Sequence, residues 1–136
     1  MAKFGSRSRT RLLTCDIKLQ IICDSVILNY DFTVIWGFRG EEAQNDCFDR
    51  GTSTKRFPNS KHNKSPSIAV DIAPWHAQTP HIRWDNEREF VYLAGMIMQA
   101  AASRDYDLRW GGNWDMDQDL YDFNKPFDLG HFELMQ

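Results

Sequence analysis

The order of apolar and polar residues predicts two long helices. Apolar residues fall at helical spacing over positions 15–30, so one face of that segment is expected to be buried, with Thr14 or Asp16 as its N-cap. A second segment with the same period begins after Asn86, and Glu89 follows this residue as in a capping box. Its apolar positions are Phe90, Leu93, Ala94, Ile97, Met98 and Ala101.

Short runs between and after these helices have the composition of β-strands. The predicted strands cover residues 31–36, 67–72, 108–110 and 131–134. A short helix is predicted over 41–50, a polar loop over 51–64, and a long acidic and aromatic loop over 111–127. This order of elements favours a small α+β domain, with helices packed on one face of a mostly antiparallel sheet.

Length and charge favour one soluble domain. The chain has 136 residues, of which 42% are apolar and 26% are charged. Residues 12–136 are predicted to form this domain, and residues 1–11 a flexible basic arm, because four cations precede the first acid, Asp16. The arm is either a solvated tail or a segment attracted to an anionic surface. The net charge of −3 predicts that the chain does not bind nucleic acid.

Disulfide-rich, secreted and membrane-inserted proteins are not favoured. Cys15, Cys23 and Cys47 are an odd number of cysteines, so we expect buried, reduced thiols rather than a disulfide framework. The N-terminus has no apolar stretch before a small-residue cleavage site, which predicts that there is no signal peptide. No apolar run reaches membrane-spanning length, so stable membrane insertion is not expected either.

Two histidines and one aspartate are candidate metal ligands. His62, Asp71 and His131 would supply two imidazoles and a carboxylate, a usual zinc ligand set that leaves a fourth position open for water. Asp71 is the only charged residue in its predicted strand, and an unpaired buried carboxylate is costly. Two explanations stay equally open at this point: a metal ion at Asp71, or a salt bridge from Arg39 or Arg109.

Four segments of the chain resemble the motifs of one peptidase family. These segments are residues 37–44, residues 60–71 with Ser60-Lys61-His62 and Ala69-Val70-Asp71, residues 110–115 with Trp110-Gly111-Gly112, and residues 128–134 with Asp128-Leu129-Gly130-His131. They resemble the D-Ala-D-Ala carboxypeptidase and L-alanyl-D-glutamate endopeptidase family of zinc peptidases, the VanY-like group that includes phage endolysins. The resemblance extends over most of the chain. The interval between the first histidine and the aspartate is longer here than in the common form and resembles the phage branch.

The resemblance implies roles for five residues. It makes His62, Asp71 and His131 the ligands of one zinc ion in a site at the sheet. Asp128, where many relatives carry Glu, becomes the general base for a water at this site. Arg39 would bind the substrate or polarise the scissile carbonyl. Residues 12–136 would accordingly form a single zinc peptidase domain.

Other polar and aromatic residues are weaker candidates. Ser60 and Gln44 are expected to support the site or contact substrate, while Trp114 and Tyr121 are expected to line a groove for peptide and sugar. We expect Trp110 to lie in the core. The acids of the long loop would either remain solvated or bind calcium through alternating oxygen ligands. These acids are Asp115, Asp117, Asp119 and Asp122.

The expected function follows from this resemblance. A phage-type endolysin would hydrolyse the peptidoglycan stem peptide, with the L-Ala–D-Glu bond favoured. The alternatives are a D-Ala-D-Ala carboxypeptidase and a zinc-containing cell-wall-binding domain without turnover, although Asp128 and Arg39 argue against the latter. The protein is expected to be a monomer that is made in the host cytoplasm and acts on the bacterial cell wall.

Overall fold

The structure is a computed structural model, which describes residues 2–120, 123 and 127–135. Across these ranges the elements are α1 (Ser6–Leu12), α2 (Ile17–Val26), β1 (Phe32–Trp36), α3 (Glu41–Asp49), a 3₁₀ turn (Lys61–Asn63), β2 (Ala69–Pro74), α4 (Glu87–Ala102), β3 (Leu108–Trp110) and β4 (His131–Leu134). None of the helices in the described ranges has both the length and the apolar character that crossing a membrane would require.

The four strands form one antiparallel sheet in the order β1-β2-β4-β3. In the central pair, Asp71 of β2 lies opposite His131 of β4, and Ala69 lies opposite Glu133. This register brings two of the predicted ligands side by side, although they are sixty residues apart in the chain. The predicted α+β class with an antiparallel sheet is confirmed.

The core lies on one face of the sheet, where α2 and α4 pack against each other and α4 packs against β2 and β3. Val70 and Ile72 are buried in this core. Because side chains alternate along a strand, Asp71 between them points to the opposite face. Covering one face of the sheet with helices therefore leaves the other face available for a polar site.

The predicted N-cap positions of the two long helices are confirmed, but the predicted capping box of the second helix is not formed. Asp16 caps α2 by accepting a hydrogen bond from the Lys18 backbone N–H at 2.9 Å, as one of the two alternatives predicted. Asn86 is the N-cap residue of α4, but its side chain makes no capping hydrogen bond. Glu89, the expected partner in a capping box, instead lies 2.9 Å from His76 Nε2. The capping-box prediction was wrong because a tertiary contact takes the carboxylate.

The predicted flexible arm over residues 1–11 is corrected by α1, which begins at Ser6 and packs against β1. The Ser8 hydroxyl lies 2.8 Å from the Thr33 hydroxyl and accepts a hydrogen bond from the Val34 backbone N–H at 3.0 Å. Leu12 is fully buried. A helix of seven residues with two buried positions is too short to be recognised from its periodicity.

The cysteines are as expected. Cys15, Cys23 and Cys47 are free and buried. Burial raises the pKa of the Cys15 thiol to about 12 and also raises the pKa of Cys23. Because the thiolate is the reactive form, these two residues are inert packing groups.

Candidate metal centre and catalytic cleft

The fold brings the three predicted ligands together. His62 lies on the 3₁₀ turn, Asp71 in the middle of β2 and His131 at the start of β4. One nitrogen or oxygen atom of each lies within 4.8 Å of the corresponding atoms of the other two. Asp71 stands between the histidines, with Oδ2 at 3.2 Å from His62 Nε2 and Oδ1 at 2.9 Å from His131 Nδ1.

The 3₁₀ turn fixes the position of His62. The Ser60 hydroxyl accepts from the His62 backbone N–H at 3.2 Å, and Asn63 Oδ1 accepts from the Ser60 N–H at 3.0 Å. The His62 ring nitrogen Nδ1 lies 2.8 Å from the carbonyl oxygen of Gly37, which can only accept, so Nδ1 carries the proton. Ser60 therefore supports the site by shaping the turn.

That tautomer leaves the other nitrogen of His62 with a free lone pair. Nε2 is buried and has no hydrogen-bond partner among the described residues. A buried polar atom without a partner is costly unless something absent from the protein chain binds it. A neutral imidazole nitrogen beside a carboxylate oxygen is a typical pair of ligands for a zinc ion, so the donor set fits such a metal.

Position 37, whose carbonyl oxygen holds the His62 ring, has room only for glycine. A Cβ at Gly37 would collide with the carbonyl oxygen of Arg11 and the hydroxyl of Thr14. The same hydroxyl accepts from the Phe38 backbone N–H at 2.8 Å. The chain after β1 is thus clamped against the link between α1 and α2, and this clamp presents the Gly37 carbonyl to His62.

The orientation of His131 depends on a residue that sequence analysis did not select. His131 Nε2 lies 2.9 Å from Glu133 Oε1, while its Nδ1 faces Asp71. Glu133 is buried, and its Oε2 accepts from Lys61 Nζ and from Arg109 Nη2, each at 2.8 Å. The available signal was alternation, which places an acid on the same face of the last strand as the histidine.

These contacts shift three pKa values in the metal-free protein. Burial raises the pKa of Asp71, but the electrostatic effect of the neighbouring His62 and the hydrogen bond from His131 outweigh burial and hold this pKa well below its usual range. Burial lowers the pKa of His131, but hydrogen bonds to Asp71 and Glu133 raise it to about 10. Burial raises and three hydrogen bonds lower the pKa of Glu133, which ends below its usual range. His131 is therefore an imidazolium between two carboxylates, and a metal cation would replace its proton.

Arg39 reaches the same aspartate. Its Nη2 lies 3.3 Å from Asp71 Oδ2, its Nη1 donates to Gln44 Oε1 at 3.1 Å, and its guanidinium lies over the Trp36 ring at 4.7 Å. The salt bridge that was one explanation for Asp71 is therefore present together with the histidine cluster. The backbone N–H of Arg39 also donates to the His62 carbonyl oxygen at 2.8 Å. Arg39 and His62 are thus held as one unit.

Gln44 is fully buried and lies behind Arg39. Its amide nitrogen donates to the Ser53 hydroxyl at 2.9 Å and to the Lys55 carbonyl oxygen at 2.6 Å. All the polar atoms of this side chain are engaged within the protein. Of the two roles predicted for Gln44, its burial and its contact with Arg39 favour support of the site over contact with substrate.

An open cleft of about 580 Å³ contains the ligand cluster. Of the predicted site residues it is lined by Arg39, Ser60, His62, Asp71, Trp114, Asp128 and His131. Asp128 is exposed to solvent within this cleft. Even so, desolvation by the cleft walls and the negative charge of Asp71 raise the pKa of its carboxyl. A carboxylate with a raised pKa beside a metal-ligand cluster is suited to exchange protons with water.

The backbone of Asp128 is held by two neighbouring segments. Its N–H donates to the Gly111 carbonyl oxygen at 2.8 Å, and its own carbonyl oxygen accepts from the His131 N–H at 3.1 Å. Gly111 in turn donates to the His131 carbonyl oxygen at 2.8 Å. A Cβ at Gly111 would collide with the Asp128 carbonyl oxygen, so only glycine permits this close approach.

The aromatic residues divide between cleft and core. Trp114 lines the cleft, with its ring centroid 5.4 Å from that of His131 and the guanidinium of Arg109 over it at 5.4 Å. Trp110 is buried, as predicted, and its indole N–H donates to the Leu129 carbonyl oxygen at 2.8 Å. Tyr121, the other predicted groove residue, lies outside the described residues.

The calcium hypothesis gains no support from the described part of the long loop. Asp115 and Asp117 each accept a hydrogen bond from a backbone N–H two residues further on, at 3.3 and 3.0 Å. Within the described ranges, His62, Asp71 and His131 are the only group of three or more His, Cys, Asp or Glu side chains whose ligand atoms lie close enough together to hold one metal ion. Asp122 lies outside these ranges, so calcium binding by this loop stays a prediction.

Comparisons with known proteins place the chain in a family. Residues 1–135 match the model of the family described as phage L-alanyl-D-glutamate peptidase. The chain is 32% identical over 139 residues to the L-alanyl-D-glutamate peptidase of Escherichia phage T5, and the match covers 98% of each protein. The range matched by the family model includes His62, Asp71 and His131.

Two solved structures share the fold. The L-Ala D-Glu endopeptidase ChiX of Serratia marcescens superposes with a TM-score of 0.76 at 22% identity, covering 97% of this chain and 89% of that one. The vancomycin resistance D,D-dipeptidase VanXYg, solved with a D-Ala-D-Ala phosphinate analog, gives a TM-score of 0.50 at 18% identity. That match covers 87% of this chain and 47% of the dipeptidase. The full-length family match and the phage T5 relative together show that this chain belongs to the phage L-alanyl-D-glutamate peptidase family.

Proposed function

We propose that this protein is a zinc-dependent endolysin that hydrolyses the L-Ala–D-Glu bond of the peptidoglycan stem peptide. The observation that carries the proposal is the meeting of His62, Asp71 and His131 in an open cleft that also contains Asp128. Membership of the phage L-alanyl-D-glutamate peptidase family supports the choice of bond. The proposal also names this protein's partner, which is the stem peptide of the cell wall.

The donor set supports zinc as the metal. His62 and His131 would each contribute one nitrogen and Asp71 an oxygen, which leaves a fourth position for water in a tetrahedral site. The unpartnered Nε2 of His62 is the atom that most needs such an ion. When bound, zinc would lower the pKa of a coordinated water to about 7 and polarise a carbonyl group.

Asp128 is proposed as the general base. Its carboxyl is exposed in the cleft, and the pKa of this group is raised by desolvation and by Asp71. It would accept a proton from the attacking water and return this proton to the amine that leaves. The exposure of Asp128 suits this exchange, because the carboxyl is free to receive and release protons.

Arg39 is proposed to stabilise the negative charge that develops on the scissile carbonyl oxygen. It lines the cleft, and its contacts with Gln44 and Trp36 hold the guanidinium in place. Its Nε is buried and has no partner among the described residues. A fixed cation that needs no reorganisation during the reaction is the kind of group that stabilises an oxyanion most effectively.

The site of action is part of the proposal. The protein would be made in the host cytoplasm, act as a monomer and reach the cell wall from within. Trp114 in the cleft would contact the peptide or the adjoining sugar. These statements extend the family assignment to this chain.

Digestion of purified peptidoglycan tests the proposal. The zinc-loaded protein should release fragments whose new amino terminus is D-Glu, as identified by mass spectrometry of the soluble products. Release of free D-Ala alone would instead indicate a carboxypeptidase. Binding to the wall with a full zinc content but without new termini would indicate a non-catalytic domain. An Asp128→Asn variant with the same zinc content is the matched control.

A further inference from the structure

Glu133 is a buried carboxylate with three charged or polar partners. Only 6% of its side chain is exposed, and it contacts His131, Lys61 and Arg109. Its two oxygens have different tasks, since Oε1 faces His131 Nε2 while Oε2 accepts from both Lys61 and Arg109. The two cations prevent the carboxylate from rotating, so that Oε1 stays directed at the imidazole.

The two histidines of the cluster present different nitrogens to Asp71. His62 presents Nε2, because its Nδ1 is held by the Gly37 carbonyl oxygen. His131 presents Nδ1, because its Nε2 is held by Glu133. In each ring, the hydrogen bond at the far nitrogen determines which lone pair is available to a metal.

Packing alone does not make this choice for His131. Its ring stands between the rings of His62 and Trp114, with centroid distances of 5.2 and 5.4 Å. These neighbours fix the plane of the imidazole. A rotation of the ring by about 180° keeps that plane and exchanges the two edges. A hydrogen bond at one edge is therefore needed to select the nitrogen that faces the cleft.

We propose that Glu133 is a positioning residue that selects Nδ1 of His131 as the metal-facing nitrogen and thereby sets the affinity of the site for zinc. The inference rests on the proposed metal site. Lys61, which pairs with Glu133, directly precedes His62 in the chain, and Arg109 lies opposite Glu133 in the sheet. Glu133 consequently ties the turn that carries one ligand to the strand that carries another.

The test compares Glu133→Ala and Glu133→Gln with a control substitution at another glutamate that also contacts a histidine and an arginine. Glu89 lies 2.9 Å from His76 Nε2 and 3.6 Å from Arg83, away from the cleft, so Glu89→Ala removes an equivalent pair. Zinc alone is the probe. Its dissociation constant is measured by competition with a chromophoric chelator. The zinc-bound nitrogen of His131 is identified by long-range ¹H–¹⁵N NMR spectroscopy.

We expect zinc to bind Nδ1 of His131 in the wild type. Glu133→Ala should weaken zinc binding by about 10- to 100-fold and produce a population bound through Nε2. Glu133→Gln retains one acceptor oxygen but cannot accept from His131, Lys61 and Arg109 at once, so it should weaken zinc binding by less than the alanine variant does. Glu89→Ala should leave both zinc affinity and the ligating nitrogen unchanged.

Two results would overturn the inference: Nε2 ligation in the wild type, or wild-type zinc affinity with Nδ1 ligation in a folded Glu133 variant. If the alanine variant does not fold, Glu133→Gln decides, because it preserves the shape of the side chain. Failure of the metal site itself is distinguishable, since the wild type would then bind no zinc at all.

Discussion

The strands that hold Asp71 and His131 and the loop that precedes β4 line the same cleft, but they are built differently. Asp71, His131 and Glu133 lie on adjacent central strands and are joined by side-chain hydrogen bonds. Asp128 is exposed, and the hydrogen bonds that hold its segment to Gly111 and His131 come from its backbone. The ligand side is preorganised within the sheet, whereas the loop side leaves the reactive carboxyl open to water.

This difference predicts that metal binding and turnover can be separated by mutation. A substitution on the strand side should disturb the metal, the fold and the activity together. A substitution of the loop carboxyl should affect mainly turnover, because among the described residues none of the hydrogen bonds of the ligand cluster involves this carboxylate.

Replacing a strand-side ligand should have the largest effect. Asp71→Ala removes the carboxylate between His62 and His131 and leaves Arg39 without its ion-pair partner. We expect loss of tight zinc binding, loss of activity and destabilisation by about 3–5 kcal/mol. His62→Ala and His131→Ala should likewise lose zinc and activity. Zinc content, hydrolysis of peptidoglycan and thermal unfolding check this on one preparation.

Metal removal gives a matched comparison in the wild type. A chelator should inactivate the protein and lower its melting temperature, because zinc would bind only the folded state. Full activity of the metal-free protein would contradict the zinc hypothesis.

Asp128→Asn should separate the two sides of the cleft most clearly. The substitution keeps the shape of the side chain and the backbone contacts with Gly111, but it removes the group proposed to accept the proton. Activity should fall by about 10²- to 10⁴-fold while zinc content and melting temperature stay near those of the wild type. Loss of zinc in this variant would mean that Asp128 is itself a ligand, and the comparison between the two sides would fail.

Arg39→Lys should have an intermediate effect. Lysine keeps the charge beside Asp71 but loses the planar group that also contacts Gln44 and stacks on Trp36. If Arg39 stabilises the oxyanion, kcat/KM should fall on the order of 100-fold with unchanged zinc content. If Arg39 only neutralises Asp71, the melting temperature should fall and the rate per folded molecule should stay nearly constant. Kinetics and thermal unfolding of the same sample distinguish these outcomes.

The smallest expected effect is the release of a proton when zinc binds. In the metal-free protein, the pKa of His131 is raised to about 10, so its imidazolium is present at neutral pH. The stability that this pairing contributes is present below the ordinary pKa of about 6.5 and is lost as the pH rises through about 10. Zinc binding near pH 7 should therefore release about one proton from this residue.

Calorimetry in buffers with different ionisation enthalpies measures this proton. The measured heat of zinc binding should depend on the buffer in wild-type protein. A heat that is independent of the buffer would show that His131 is already neutral before zinc binds. The assignment of a positive charge to His131 would then be wrong.

The elements that sequence patterns predicted best are those with a regular period. The boundaries of β3 and β4 agree with the prediction, and α4 begins and ends within a residue or two of it. Strand alternation also indicated that His131 and Glu133 share a face. It did not reveal that Lys61 and Arg109 converge on that face, because such a meeting depends on the tertiary path of three separate segments.

Sequence analysis identified the ligand cluster for a different reason. The residues of the cluster are far apart in the chain. Periodicity alone favoured a metal ion and a salt bridge equally as the partner of Asp71. Only the resemblance of several motifs in order favoured the metal. The roles of Gly37 and Gly111 were not predicted, because each depends on the close approach of a distant backbone segment.

The contact between α1 and β1 has a consequence for handling the protein. β1 is an outer strand of the sheet, and the Ser8 hydroxyl and the Arg11 guanidinium bind the backbone N–H and carbonyl oxygen of Val34, each at 3.0 Å. An outer strand with free backbone groups can pair with another molecule and start aggregation. The N-terminal helix therefore acts as a cover for this strand. A chain that lacks α1 would expose the backbone groups of this edge to pairing with another molecule, so affinity tags are better placed at the other terminus.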